Sequence, residues 1–130
     1  MDYRKSIEEM EKTIEELIEE NKIIPVIVEG ERDVAALKKL GLIGELIIFN
    51  RGMSIANFCD MIQKKYREII ILTDWDRKGG FLCSMLKKNL ESTVKCNLKY
   101  RKIFARRSTT KTVEGLPSWI TSLKEKVNYY

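Results

Sequence analysis

The segment IIPVIVEG, residues 23–30, places six consecutive apolar residues before a glutamate and a glycine. Its β-branched residues do not alternate with polar ones, a pattern typical of a strand buried on both faces of a parallel sheet. Two further runs have the same character, at residues 46–49 (LIIF) and 69–72 (IIIL), and each also ends in polar residues. The sequence therefore predicts three short, buried strands.

Apolar residues at helical spacing fill the gaps between these runs. They predict a helix at about 31–40, a second that Ser54 caps, and a third that starts after Gly80, buries Phe81 and ends near Leu90. Strands that alternate with helices of this length indicate βαβ units. The predicted fold class is α/β, a doubly wound three-layer sandwich with a central, mainly parallel sheet of about four strands.

The N-terminal segment is predicted to be an amphipathic helix over residues 6–20, with Ser6 in a capping box. Its apolar stripe consists of Ile7, Met10, Ile14 and Leu17. Helical spacing fits packing on the sheet, against a second copy of the chain in a homodimer, or in a larger complex. We expect the N-terminal segment that contains this helix, residues 1–21, to precede the main domain, residues 22–130.

The last third of the chain is predicted to contain two helices and one strand. Asn97 can cap a helix over residues 98–107, and Pro117 suits the first turn of a final helix. Residues 111–113 are the candidate fourth strand of the sheet.

Composition excludes several classes of protein. The 130 residues suffice for one ordinary domain, and no apolar run approaches the roughly 20 residues that span a bilayer. Three cysteines without a CxxC pair, and no histidine, argue against a structural zinc site. We expect a cytoplasmic protein that does not enter a membrane.

Charge is unevenly distributed along the chain. The first 20 residues contain eight acidic and three basic side chains and carry −5, so the other 110 residues carry +10 of the formal total of +5. No acidic residue lies between Glu91 and Glu114. The basic residues in that stretch are Lys95, Lys99, Arg101, Lys102, Arg106, Arg107 and Lys111. This pattern predicts RNA or DNA as a partner, with a solvated helix face as the alternative.

Three carboxylates follow the predicted strands at the points where those strands end. Glu29 follows the first run, whereas Asp74 and Asp76 follow the third. In a doubly wound sheet these strands are neighbours and ligands bind outside their carboxyl ends, so the three side chains should converge. Oxygen ligands without histidine or cysteine suit Mg²⁺, with Mn²⁺ as an alternative. Taken singly, an aspartate could instead cap a helix, and Glu-Gly could be a turn.

Two motifs resemble those of Toprim domains. VIVEGERD, residues 26–33, is similar to the family's glutamate motif, and ILTDWDRKGG, residues 71–80, is similar to its DxD motif. The resemblance covers about residues 22–115. It is strongest to small stand-alone Toprim proteins of archaea and some bacteria, and next to the Toprim domains of ribonucleases that mature ribosomal RNA and of bacterial-type primases.

The resemblance implies roles for particular residues. Glu29 matches the glutamate proposed as general acid or base, and Asp74 and Asp76 match the metal-binding pair. Arg51 and Lys78 have no firm role in the family, and we consider them candidate phosphate contacts. The implied function is Mg²⁺-dependent nuclease or nucleotidyl-transfer chemistry on nucleic acid. The alternative is a non-catalytic subunit that binds metal and RNA or DNA, since no companion domain of a topoisomerase or primase is expected here. A third interpretation is a structural relic of the fold.

Overall fold

The computed structural model describes residues 2–49 and 52–129, and it contains six helices and four strands within those ranges. In chain order the elements are α1 (Tyr3–Asn21), β1 (Val26–Val28), α2 (Glu31–Leu40), β2 (Leu46–Ile48), α3 (Ile55–Lys65), β3 (Glu68–Ile71), α4 (Arg77–Leu90), β4 (Lys95–Asn97), α5 (Lys99–Arg107) and α6 (Leu116–Tyr129). Among these helices, none combines the length and the apolar character needed to cross a membrane.

The four strands form one parallel sheet in the order β2-β1-β3-β4. Val26 of β1 lies opposite Leu46 on one side and Ile70 on the other. From β1 the chain moves first to one edge of the sheet and then returns to the other side of β1. The gap between β1 and β3 is therefore the switch point of the sheet, as the sequence predicted.

Alternate residues of the two central strands face opposite sides of the sheet. Val26, Val28 and Ile70 belong to a core that is shared with α1, α2, α5 and α6. Ile27 and Ile71 belong to a second core, shared with α3 and α4. Crossovers that run in opposite directions along the sheet place their helices on opposite faces. The result is the predicted three-layer α/β fold.

The N-terminal helix α1 is part of the first core. Its predicted stripe is largely buried against α5 and α6, with Ile7 partly buried and with Met10, Ile14 and Leu17 at 1%, 8% and 0% exposed. The stripe is therefore covered within the chain. Asp2 caps the helix, because its side chain accepts a hydrogen bond from the main-chain N–H of Arg4 at 3.1 Å. The prediction of Ser6 as the cap was wrong.

The predicted strand at residues 111–113 is also wrong, because the fourth strand is Lys95–Asn97. Residues 111–113 form a loop beside the end of β3. The main-chain N–H of Trp75 donates to the carbonyl of Lys111 at 3.1 Å, and the indole Nε1 donates to the carbonyl of Thr110 at 2.7 Å. These bonds hold the loop at the carboxyl end of the sheet instead of along its edge.

Helix α4 differs from its prediction in two respects. It begins before Gly80, because Asp76 caps it. Phe81, predicted to be buried, is 65% exposed. It lies two positions from Gly79 and two from Cys83, both on the buried face of α4. Two positions correspond to about 200° around a helix, so the ring faces the solvent.

Candidate functional site

A cleft of about 780 Å³ opens at the carboxyl ends of the two central strands. Glu29, directly after β1, lines it together with Asp74 and Asp76, which follow β3. Ligands of parallel α/β sheets bind at this position, where the strand order reverses. The structure thus brings the three predicted carboxylates to one cleft.

Glu29 and Asp74 are joined by a hydrogen bond across the gap between the strands. The main-chain N–H of Asp74 donates to Oε2 of Glu29 at 2.8 Å. Oδ1 of Asp74 in turn accepts from the main-chain N–H of Val113 at 2.8 Å. Asp74 therefore links the ends of both central strands to the loop that precedes α6.

Asp76 caps α4, since its Oδ1 accepts a hydrogen bond from the main-chain N–H of Gly79 at 2.7 Å. The hydroxyl of Thr73 donates to the carbonyl of Gly79 at 2.9 Å. A methyl group at Gly79 would overlap the carbonyl of Asp74. The turn from β3 into α4 is thus tightly closed, which fixes the positions of both aspartates.

Burial raises the pKa of Asp74 from its ordinary 3.8 to about 7. The hydrogen bond from Val113 opposes this shift, and three neighbouring carboxylates add to it: Asp33, Glu29 and Asp76. A cation in the cleft would counteract the contribution of the carboxylates, because an opposite charge favours the ionised form. The electrostatics of the cleft therefore favour a bound cation.

Three acidic residues of the cleft, Glu31, Asp33 and Glu114, were not among the predicted site residues. Asp33 is 7% exposed, accepts a hydrogen bond from the main-chain N–H of Gly30 at 3.1 Å, and has its pKa raised by burial. Its position four residues after Glu29, one turn into α2, was a usable signal. Glu114 has no such local signal, because it reaches the cleft through the loop before α6, where it lies 3.8 Å from Arg32.

The donor set consists of oxygen atoms, which suit Mg²⁺ or Mn²⁺. In each of the carboxylates of Glu29, Asp74 and Asp76, one oxygen accepts a main-chain hydrogen bond. The other oxygen of each has no hydrogen-bond partner within residues 2–49 and 52–129. Over the same ranges, no three acidic or cysteine side chains converge closely enough to hold one ion together. Since Mg²⁺ commonly uses one or two carboxylates and keeps several waters, the residues fit a partly hydrated ion.

Arg101, a predicted nucleic-acid contact, reaches into the turn after β3. Its Nε donates to the carbonyl of Thr73 at 3.1 Å, and its Nη2 donates to the carbonyl of Asp74 at 2.7 Å. These bonds tie α5 to the carboxylate cleft, so Arg101 supports the position of Asp74. Tyr100, its neighbour in α5, is fully buried in the first core.

The other predicted basic contacts differ in how accessible they are. Lys78 is exposed and lines the cleft. Lys102 and Arg106 are exposed on α5, and neither forms an ion pair within the described ranges. Arg51 lies outside the described residues.

Two basic residues of α5 are paired with carboxylates of α1. Nζ of Lys99 lies 2.9 Å from a carboxylate oxygen of Glu16, and Nε of Arg107 lies 3.1 Å from one of Glu9. The acidic N-terminal helix therefore neutralises part of the basic surface that the sequence predicted.

Comparisons with known proteins identify a family model and several relatives that this chain resembles. The family model of the Toprim domain matches residues 24–106. A UPF0292 protein of Methanosarcina acetivorans is 34% identical over 128 residues, which is 95% of this chain and 88% of the relative. A UPF0292 protein of Thermoplasma volcanium is 61% identical over 62 residues, a match that spans 48% of this chain and only 52% of that relative.

A solved structure has a similar fold. It is described as a putative protein from Aquifex aeolicus, and it superimposes with a TM-score of 0.69 at 25% sequence identity. The match covers 79% of this chain and 94% of the other.

Proposed function

Since the chain belongs to the Toprim domain family, we propose that it binds Mg²⁺ through Asp74 and Asp76, with Glu29 in the same cleft, and that it processes phosphodiester bonds of RNA or DNA. The family connects the chain with metal binding and nucleic acid in general, and the finer assignment is ours. The observation that carries it is the meeting of these three carboxylates in one cleft at the switch point of the sheet.

The three carboxylates have separate tasks in this proposal. Asp74 and Asp76 each offer the oxygen that their main-chain hydrogen bond leaves free, and they hold the ion with its remaining waters. Bound Mg²⁺ supplies Lewis acidity at a phosphate. Oε2 of Glu29 is engaged by Asp74, so Oε1 is the atom that accepts or donates a proton during cleavage or transfer.

A non-catalytic binding module is the second candidate. The hydrogen bond that each carboxylate accepts from the main chain favours this candidate, because these bonds give the three residues a structural role at the strand ends. In this case the cleft would bind metal and nucleic acid without turnover.

Incubation of the pure chain with labelled RNA and DNA, with and without Mg²⁺, separates these functions. We expect Mg²⁺-dependent cleavage that Glu29→Gln lowers by about 100-fold or more, the usual scale of general acid–base catalysis. Glu31→Gln is the matched control, because it removes a charge from the same cleft. Binding without turnover supports the binding module. If the chain neither binds nor cleaves the nucleic acids, both candidate functions are contradicted.

Metal binding is tested separately by titrating Mg²⁺ and following the amide resonances by NMR. Amides near residues 29–31 and 73–79 should shift in the wild-type chain. If the variant with both Asp74→Asn and Asp76→Asn shows the same shifts, the ion binds elsewhere.

A further inference from the structure

Five large apolar side chains are exposed within the described residues, and Phe81, which is 65% exposed, is the aromatic one among them. The buried face of α4 lies on the other side of the helix and contains Cys83, Leu86 and Leu90. A phenylalanine in this position does not support the core. Its exposed ring is available to a partner.

The ring lies about one turn beyond the mouth of the carboxylate cleft. Arg77 and Lys78 precede Phe81 by four and three residues, spacings at which side chains are neighbours on a helix surface. Both basic residues are exposed, and Lys78 lines the cleft. Neither takes part in an ion pair within residues 2–49 and 52–129. Two cations and an aromatic face thus form one strip, which we call the α4 strip (Arg77, Lys78 and Phe81).

The alternative basic surface, on α5, is less available. Lys99 and Arg107 are paired with carboxylates of α1, and Arg101 is bound to carbonyls in the turn after β3. Lys102 and Arg106 remain unpaired on α5 within residues 2–49 and 52–129 but do not line the cleft. Of the described basic residues that do, Arg32 lies 3.8 Å from Glu114, whereas Lys78, on the first turn of α4, forms no ion pair within the described ranges.

We propose that the α4 strip binds unpaired nucleotides, with Phe81 stacked on a base and with Arg77 and Lys78 at neighbouring phosphates. This inference rests on the proposed function and names its substrate class as single-stranded or locally unpaired RNA or DNA. Stacking on an aromatic face needs a base that is free of its own duplex, whereas phosphate contacts do not. A second copy of the chain fits the strip poorly, because two such strips would bring like charges together.

The test measures binding of the full chain to three fluorescent probes of equal length by anisotropy: a single-stranded oligonucleotide, its blunt duplex, and a strand with abasic residues. Phe81→Ala should weaken binding to the single strand by about 10-fold, since stacking on one base commonly contributes this much. Phe81→Trp should retain it. The duplex and the abasic strand should bind both variants as they bind the wild type.

Ile43→Ala is the matched control, because Ile43 is 76% exposed in the connection before β2, at the other end of the sheet. Equal binding of the single strand by Phe81→Ala and the wild type would overturn the inference and leave the proposed function standing. An equal loss on all three probes would also overturn it, since phosphate contacts alone would then explain the strip. If the wild type binds no probe, the proposed function and this inference both fail.

Discussion

Asp74 combines a well-defined position with an unfavourable charge. Three hydrogen bonds fix it: one from its own N–H to Glu29, one from Val113 to its carboxylate and one from Arg101 to its carbonyl. Burial and the neighbouring carboxylates nevertheless raise its pKa to about 7. In the absence of a cation, burial and the neighbouring carboxylates therefore favour the neutral form of this residue.

The raised pKa predicts how the stability of the metal-free protein depends on pH. The folded protein keeps a proton on Asp74 up to about pH 7, whereas the unfolded chain loses it near the ordinary pKa of 3.8. The stabilisation from this group is complete below that lower pH and is lost as the pH rises to about 7. Each pKa unit corresponds to about 1.4 kcal/mol at most.

Asp74→Asn removes this titration and keeps an oxygen for the bond from Val113. Chemical denaturation from pH 4 to 8 in the presence of a chelator should show the variant gaining stability relative to the wild type as the pH rises, with no further gain above about pH 7. Parallel curves for the two proteins would contradict the assignment.

Gly79 is expected to be intolerant of a side chain. Because a methyl group there would overlap the carbonyl of Asp74, Gly79→Ala must displace the turn that carries both aspartates. We expect a loss of about 3 kcal/mol in the free energy of unfolding. Gly30→Ala is the control, since a methyl group at Gly30 has no neighbour within 4 Å and should change stability by less than about 1 kcal/mol. Similar losses in thermal and chemical melts of both variants would refute the steric explanation.

The site was only partly predictable at the level of residues. Glu29 follows β1 directly, and Asp74 and Asp76 follow β3 within five residues, so local sequence was sufficient to bring them to one edge of the sheet. Arg101 could not be recognised as a support of that edge, because its role depends on carbonyl groups 27 and 28 residues away. Such a contact leaves no trace in local periodicity or in composition.

The ion pairs between α1 and α5 reduce the number of basic residues that are free to bind a partner. Its cations were expected to form one surface for nucleic acid, yet Glu9 and Glu16 neutralise two of them, and Glu20 accepts a hydrogen bond from Asn97 at 3.1 Å. Because these pairs are exposed, they contribute little to stability. Their larger effect is that Lys99 and Arg107 are less available to contact a polyanion.

Removing the masking carboxylates should strengthen nucleic-acid binding. In the variant with Glu9→Gln and Glu16→Gln, Lys99 and Arg107 become free to contact phosphates. If both do so, the slope of log affinity against log salt steepens by about 1.4–1.8.

The control for this variant combines Glu8→Gln with Glu15→Gln, which removes the same charge from α1 at residues that form no ion pair within the described ranges. If both double variants change the slope equally, net charge explains the result and the specific pairs do not.

The order of the elements was more predictable than their ends. Ser54 caps α3 as predicted, because a cap is a local signal. The fourth strand was misplaced because Lys95–Asn97 is a polar edge strand without an apolar run, whereas residues 111–113 have a β-branched character without a strand to pair with. Edge strands need less burial, so hydrophobic pattern identifies them poorly.

At the scale of the whole molecule, α1 is as much a part of the domain as the sheet. Leu17 is fully buried in the same core as Val26 and Phe104. Leu17→Ala should therefore lower the free energy of unfolding by about 2–5 kcal/mol, because it leaves a cavity in that core. Ile23→Ala, at a site that is 89% exposed, should change it by less than about 0.5 kcal/mol. Equal melting temperatures for Leu17→Ala and the wild type would show that α1 is dispensable.

The packing of α1 also has a consequence for biosynthesis. Helix α1 leaves the ribosome well before α5 and α6, against which it packs. At about 5–20 residues per second, the 77 residues 22–98 between α1 and α5 take about 4–15 s to be made. During that interval the apolar stripe of α1 lacks the two helices that cover it and is open to nascent-chain chaperones. The first core can close only after α5 and α6 have been synthesised.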